Sequence, residues 1–158
     1  MAKCGYSVVT AGAVALTAAT AKSVLGVKGH ANFGLDLKKA RIGFDGVTAG
    51  NVAVLVELCY CTFVTNSPGT NRTSLTPAQA YGRVTAAGFT AAKTWTAANE
   101  PTVLTPLDEI LLDPNKGLLV YDFPLGDTPD SAVAEGFVYR CTAPNAVNLR
   151  GTFWVERA

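Results

Sequence analysis

Charged residues are scarce in this sequence. They account for 16% of its 158 residues, whereas 49% are hydrophobic; an ordinary soluble domain is about 25% charged. The formal net charge is only +1, so nothing favours general attraction to a phosphate backbone, and we expect no nucleic-acid partner. A surface with few charges and exposed apolar patches is typical of a protein that contacts other proteins.

The residues that catalysis and metal binding require are missing or isolated. His30 is the only histidine, and nucleophilic catalysis by serine or cysteine needs a base beside the nucleophile. The sequence contains no nucleophile-elbow, zinc-protease or phosphate-loop motif. The acidic residues at 108–113 and 122–130 have neither acid–base nor calcium-ligand spacing. We therefore expect a protein that is not an enzyme and that uses no cofactor and no metal.

Long apolar runs are also absent. No segment approaches the roughly 20 apolar residues of a membrane-spanning helix, so we expect no membrane partner. Residues 3–21 resemble a signal peptide only superficially, because glycine, serine and threonine residues interrupt the stretch.

The four cysteines do not form a recognisable disulfide or zinc pattern. Cys59 and Cys61 lie two residues apart on a predicted strand, where their side chains share one face and cannot readily be bridged. Cys4 and Cys141 lie far from them in the sequence. We expect reduced, buried thiols and folding in a reducing cytoplasm.

Alternation of apolar and polar residues is the dominant pattern that is present. It covers residues 40–44, 52–61, 118–125, 137–142 and 147–156, with shorter candidates at 14–17, 23–28 and 81–86. Turns such as Asp45-Gly46 join these segments, residues 76–80 are expected to form one helical turn, and residues 65–76, 87–106 and 126–135 are expected to be loops. About eight strands of this kind predict an all-β fold, a single jelly-roll-like β-sandwich over residues 13–158.

Residues 1–12 are predicted to form an N-terminal arm outside the sandwich. The arm is apolar at Tyr6, Val8 and Val9, yet it has too many glycines and small residues to form a helix of its own. Such a segment is suited to ordering on a neighbouring subunit, where it can add a strand to an exposed edge.

Two tryptophans are further candidates for interface contacts. Trp154 is out of phase with the apolar alternation of Phe153 and Val155, and Trp95 falls in the predicted loop over residues 87–106. An exposed tryptophan is a favoured anchor in protein interfaces.

The charges are distributed unevenly along the chain. Residues 1–50 carry six Lys or Arg and two Asp, whereas residues 101–158 carry four Lys or Arg and eight Asp or Glu. Ends of opposite sign could steer one subunit onto the next. Alternatively, the two ends are neighbours within one fold.

Four stretches together resemble a family of small structural proteins from tailed bacteriophages of Gram-positive hosts. They are VALTAATAK at residues 14–22, FDGVTA at 44–49, VLVELCY at 54–60 and RCTAPNAVN at 140–148. The similarity covers most of the chain from residue 13 onward. Members of such families resemble capsid decoration (cement) proteins, which trimerise over the threefold positions of a shell, and the resemblance implies no catalytic residue.

The expectations that follow from the resemblance are specific. The chain is expected to be a homo-oligomer, a trimer, that binds the major capsid protein and stabilises the outer surface of the virion after synthesis in the host cytoplasm. Two alternatives stay open: a tail or head–tail connector protein, and a secreted carbohydrate-binding β-sandwich.

Overall fold

Two antiparallel β-sheets make up almost the whole of the described chain. The computed structural model describes residues 3–45, 52–68 and 72–158. Within these ranges the only helical segment is one 3-10 turn, Ala97–Asn99. The prediction of an all-β sandwich is confirmed, while its jelly-roll subtype stays a prediction.

Twelve strands are present in the described ranges. In chain order they are β1 (Gly5–Val9), β2 (Val14–Leu16), β3 (Ala21–Lys28), β4 (Leu35–Asp45), β5 (Val54–Cys61), β6 (Thr73–Leu75), β7 (Ala78–Tyr81), β8 (Thr90–Lys93), β9 (Leu104–Leu112), β10 (Leu118–Asp122), β11 (Gly136–Thr142) and β12 (Val147–Arg157). The first sheet has the order β10-β4-β12-β1-β7, with β2 also pairing β12. The second sheet has the order β6-β8-β3-β11-β5-β9.

The main hydrophobic core lies between the two sheets. It consists of the inward-facing apolar residues of nearly every strand, including Val8, Leu25, Leu37, Ile42, Val56, Leu58, Phe137, Tyr139, Leu149 and Phe153. Alternation in β4 changes phase part-way, since Leu35 and Leu37 face inward and so do Ala40 and Ile42. A bulge opposite Trp154 and Val155 adds one residue to β4 and accounts for the change.

The predicted arm is wrong for residues 5–9. These residues form β1, which pairs with β12 on one side and β7 on the other. Tyr6 is 2% exposed and Val8 is fully buried in the main core. Pairing within this sheet stabilises the segment without a second subunit, because its backbone groups are hydrogen-bonded and its two large apolar side chains are buried at the same time.

Several local predictions are also corrected. Residues 76–80 are not a helical turn, because β7 begins at Ala78; the candidate strand at 81–86 overlaps β7 only at Tyr81. Short strands β6 and β8 lie where loops were expected, and the nine-residue β9 begins inside the loop expected at 87–106 and continues through residues 107–112, for which no element was predicted. All three carry many polar or small residues, and β9 contains Pro106, so alternation does not reveal them. Gly46 of the predicted Asp45-Gly46 turn lies outside the described residues.

Candidate binding surface

The outer face of the first sheet carries an open trough across β10, β4 and β12. Register places Val120 opposite Arg41 and Leu118 opposite Gly43, while Lys39 is paired with both Asp122 and Trp154. Side chains directly opposite one another in a sheet share a face. We call the surface formed by Leu118, Val120, Lys39, Arg41, Gly43 and Trp154 the outer trough. Its larger part has a volume of about 460 Å³.

An arginine and a tryptophan form the floor of the trough. The Arg41 guanidinium carbon lies 4.8 Å from the centre of the Trp154 ring. This stacking restrains the planar guanidinium, and its N–H donors make no side-chain hydrogen bond to a described residue. Arg41 is exposed, and it forms no salt bridge with any residue that the structure describes. The site therefore offers a fixed positive charge to an anionic group.

Cations outnumber carboxylates along the trough. Lys38, Lys39 and Arg41 line it together with a single carboxylate, Asp122. The Lys39 ammonium lies 2.7 Å from an Asp122 oxygen, so this pair is largely neutral as a unit. The Lys38 ammonium lies 3.7 Å from a Glu156 oxygen, so among the described residues Arg41 is the cation of the trough without a carboxylate.

A buried carboxylate anchors one rim of the trough. Glu156 accepts a hydrogen bond from the Tyr81 hydroxyl and lies 3.1 Å from the Lys3 ammonium and 3.7 Å from the Lys38 ammonium. Burial acts to raise the pKa of Glu156, but Tyr81 and Lys3 outweigh it and hold the pKa below its ordinary value. This cluster ties β4, β7, β12 and the residues just before β1 together beside the open face.

A hollow continues the trough beyond Arg41. Gly43 has no side chain, and the nearest atom to a Cβ placed there would be Leu118 Cδ1, at 3.4 Å. The hollow has a volume of about 230 Å³ and is also lined by Arg150, whose guanidinium lies 2.5 Å from Asp45. The space is large enough for an aliphatic side chain from outside.

Exposed apolar residues are concentrated on the neighbouring edge strands β9 and β10. Leu107 is 48% exposed, Leu111 68%, Leu118 63% and Val120 46%. The two strands lie side by side, because the Tyr121 hydroxyl on β10 donates to Asp108 on β9. The four apolar side chains do not form one patch, because Leu118 and Val120 lie on the outer face of the first sheet and Leu111 lies on the outer face of the second, opposite Leu55. Exposed apolar side chains of this kind mark protein contacts.

The five residues predicted as interface contacts have different positions. Tyr6 and Val8 are in the main core, and Trp95 is fully buried, so the expectation that Trp95 is exposed is wrong. Val9 is 49% exposed at the end of β1. Trp154 is half-buried and faces outward into the trough, as its phase predicted. The structure does not bring the five residues together.

Sequence reasoning missed Arg41, Leu118 and Val120 as surface candidates. One signal was available: both phases of β10 are apolar, since Leu119 and Tyr121 alternate with Leu118 and Val120. A strand that is apolar on both faces and lies at a sheet edge must expose one of them. Its position at the edge could not be read from the sequence.

The cysteines and the histidine, whose side chains could act as nucleophiles or ligands, lie outside the trough. All four cysteines are free, as predicted, and Cys59, Cys61 and Cys141 are buried. Burial raises the pKa of Cys59 to about 12 and that of Cys61 to about 11, so neither thiol is activated. His30 stacks on Phe33, and its Nδ1 accepts a hydrogen bond from the Asn32 N–H. Among the residues that the structure describes, no three metal-binding side chains cluster.

Within the described ranges, no helix is long and apolar enough to cross a membrane. Comparison with known proteins gives no match: no family model, no curated protein and no solved structure is similar to this chain.

Proposed function

We propose that this chain is a structural protein of a tailed-phage virion, a capsid decoration protein with a jelly-roll-like sandwich. The observation that carries the contact role is the set of exposed apolar side chains on the two edge strands, Leu118 and Val120 on β10 and Leu107 and Leu111 on β9. The phage virion is taken from the resemblance of the four sequence stretches quoted above.

The exposed edge supports a function that depends on assembly. Leu111 and Leu118 present most of their surface to solvent in the single chain, and burying an aliphatic side chain stabilises a complex by about 1.5–3 kcal/mol. Edge strands also carry unpaired backbone groups that a neighbour can pair. Contact with another subunit at these edge strands would bury the apolar side chains and pair the free backbone groups.

The proposed partners are other copies of the chain, in a trimer, and the major capsid protein. Free, unactivated thiols suit synthesis in a reducing cytoplasm before incorporation into a virion. A tail or connector protein would use the same contact surface, and the copy number per virion separates these two roles.

Binding to shells that lack this chain tests the proposal. Purified wild-type chain is expected to co-sediment with such shells at a stoichiometry that scales with the number of capsid subunits. The double variant L118D/V120D removes two exposed aliphatic side chains from β10 and is expected to lose at least about tenfold in affinity, since each lost aliphatic contact costs about 1.5–3 kcal/mol.

The matched control is V84D, because Val84 is 99% exposed in a loop away from β9 and β10. Wild-type chain that fails to bind shells, or that binds in a number tied to the tail axis, would reject the decoration role. Equal binding by L118D/V120D and V84D would show that the edge is not the contact surface.

A further inference from the structure

We infer that the outer trough of one subunit binds strand β9 of a second copy, so that the chain associates head to tail. This inference rests on the self-association in the proposed function and names the surfaces that carry it. The molecule presents two surfaces of opposite character on different sheets. One is cationic and apolar, and the other is acidic and apolar.

The acidic surface is the outer face of β9. Glu109 lies opposite Glu57 and Leu111 lies opposite Leu55, so Glu109 and Leu111 face outward on the second sheet. Glu57 is neutralised by Arg140, whose guanidinium lies 2.5 Å and 2.7 Å from its two carboxylate oxygens.

Glu109 has no such partner. It forms no salt bridge with any residue in the described ranges, and it is exposed between Leu107 and Leu111. Glu57, which lies opposite, is already paired with Arg140, so Glu109 is the carboxylate of the two that lacks a cation. A cation from another subunit would supply its partner.

The trough supplies that cation in a matching arrangement. Arg41 is held against Trp154 with its donors free for a carboxylate, and paired arginine–carboxylate hydrogen bonds are among the strongest between side chains. Val120 and Leu118 provide apolar contact beside it.

The spacing of the two surfaces agrees. Residues two apart on a strand are separated by about 6.6–6.8 Å, which applies equally to Glu109 and Leu111 on β9 and to Arg41 and Gly43 on β4. When β9 of one subunit runs parallel to β4 of the other, a Glu109 carboxylate paired with Arg41 places Leu111 over the hollow at Gly43. The exposed Leu111 is buried there and the lone charges of both subunits are paired.

The two surfaces belong to different sheets, so the contact is heterologous. Each subunit uses its trough for one neighbour and its β9 for the other, and such contacts close into rings when the rotation permits. A cyclic trimer is the closed form that the proposed function requires.

A charge-reversal cycle tests the pairing. Sedimentation equilibrium is measured for wild type, R41E, E109R and the double variant R41E/E109R. Each single reversal is expected to weaken self-association at least about tenfold, because two like charges then meet across the contact. The double variant restores the opposite pair and is expected to recover most of the affinity. Higher salt should weaken the wild-type contact and narrow the differences.

The controls are R83E and D127R, which reverse exposed charges outside both surfaces. They are expected to associate as wild type does. Arg41 and Glu109 are exposed, so all variants should keep the wild-type circular dichroism spectrum and melting temperature within a few degrees.

The outcomes are distinct. Wild-type oligomers that R41E and E109R do not weaken, or that the double variant does not restore, overturn this pairing and leave the proposed function in place. A wild-type chain that stays monomeric at high concentration overturns both the pairing and the proposed self-association. Restored association in R41E/E109R with no binding to shells would retain the pairing and reject the decoration role. Wild-type chain that stays monomeric and instead binds an unrelated acidic protein, with R41E losing that binding, would overturn the second copy as the occupant.

Discussion

The outer faces of the two sheets differ although each carries one tryptophan. On the second sheet Trp95 is fully buried, in a small cluster with Cys61, Phe63, Ala92 and Val138. On the first sheet Trp154 is half-buried and lines an open trough. One face is closed by the chain's own loops, and the other has an open trough.

Hydrogen bonds hold the cover over the second sheet. The Trp95 indole N–H donates to the Asn66 carbonyl at 2.8 Å, and the Asn66 amide donates to the Glu100 carbonyl at 2.9 Å. The Glu100 carboxylate in turn accepts from the Ser23 N–H, at 3.0 Å, on β3. No comparable loop crosses the first sheet within the described residues. The difference teaches that loops, and not the strands beneath them, decide which face of this sandwich is available.

Replacement of the two tryptophans should give the largest difference in stability. Trp95→Ala is expected to lower the free energy of unfolding by about 3–5 kcal/mol, because it leaves a cavity in a fully buried cluster. Trp154→Ala is expected to cost about 1 kcal/mol or less, since its ring is partly exposed. Chemical denaturation measures both. Equal losses would contradict the distinction between a closed and an open face.

Replacing Gly26 and Gly43 by alanine compares the packing of the covered and the open face. A Cβ at Gly26 would lie 2.9 Å from the Trp95 ring, so Gly26→Ala is expected to destabilise by about 1–3 kcal/mol through overpacking. A Cβ at Gly43 has its nearest neighbour at 3.4 Å, the end of the Leu118 side chain. Gly43→Ala is therefore expected to change stability by about 0.5 kcal/mol or less.

Thermal unfolding of the two variants, with wild type as reference, checks this pair. Gly43→Ala should also fill part of the hollow and weaken self-association without affecting the fold. A larger loss of stability at Gly43 than at Gly26 would mean that the open face is packed more tightly than the covered one.

The stability that Glu156 contributes at the rim of the open face should depend on pH. The folded pKa of Glu156 lies below its ordinary value of 4.5, so the unfolded chain takes up this proton at a higher pH than the folded chain does. The stabilisation is therefore complete above about pH 4.5 and is lost as the pH falls through the lower folded pKa.

Glu156→Gln is expected to cost roughly 1–2 kcal/mol at pH 7, because it removes the charge that Tyr81 and Lys3 share. The measurement is the free energy of unfolding of both proteins between pH 7 and pH 3. Their curves should converge at the acid end, and a constant gap across this range would show that the charge of Glu156 is not responsible.

Strands with clean alternation were predictable, and those without it were not. The segments around Val54–Cys61, Gly136–Thr142 and Val147–Arg157 form strands close to where alternation placed them, because large apolar residues recur at every second position along each. In Val54–Cys61 the outward positions other than Glu57 are apolar as well. β8 and β9 mix small, polar and proline residues, and their pairing depends on neighbours that are distant in the sequence.

The candidate site divides in the same way. The phase of Trp154 against Phe153 and Val155 follows from the period-2 geometry of a strand, and it placed this residue on the outer face. Nothing local distinguishes Trp95, whose burial depends on loops near residues 66 and 100. Likewise, that Arg41 lacks a carboxylate partner can be inferred only once β10 and β12 are known to flank β4.

The amino-acid sequence by itself determined the fold class, the free cysteines and the inward faces of the long strands, because side-chain alternation and composition act locally. The tertiary structure alone decided that β1 completes a sheet, that one outer face is covered and that β9 and β10 form an exposed edge. These depend on strand order and loop paths, which arise from contacts between residues far apart in the chain.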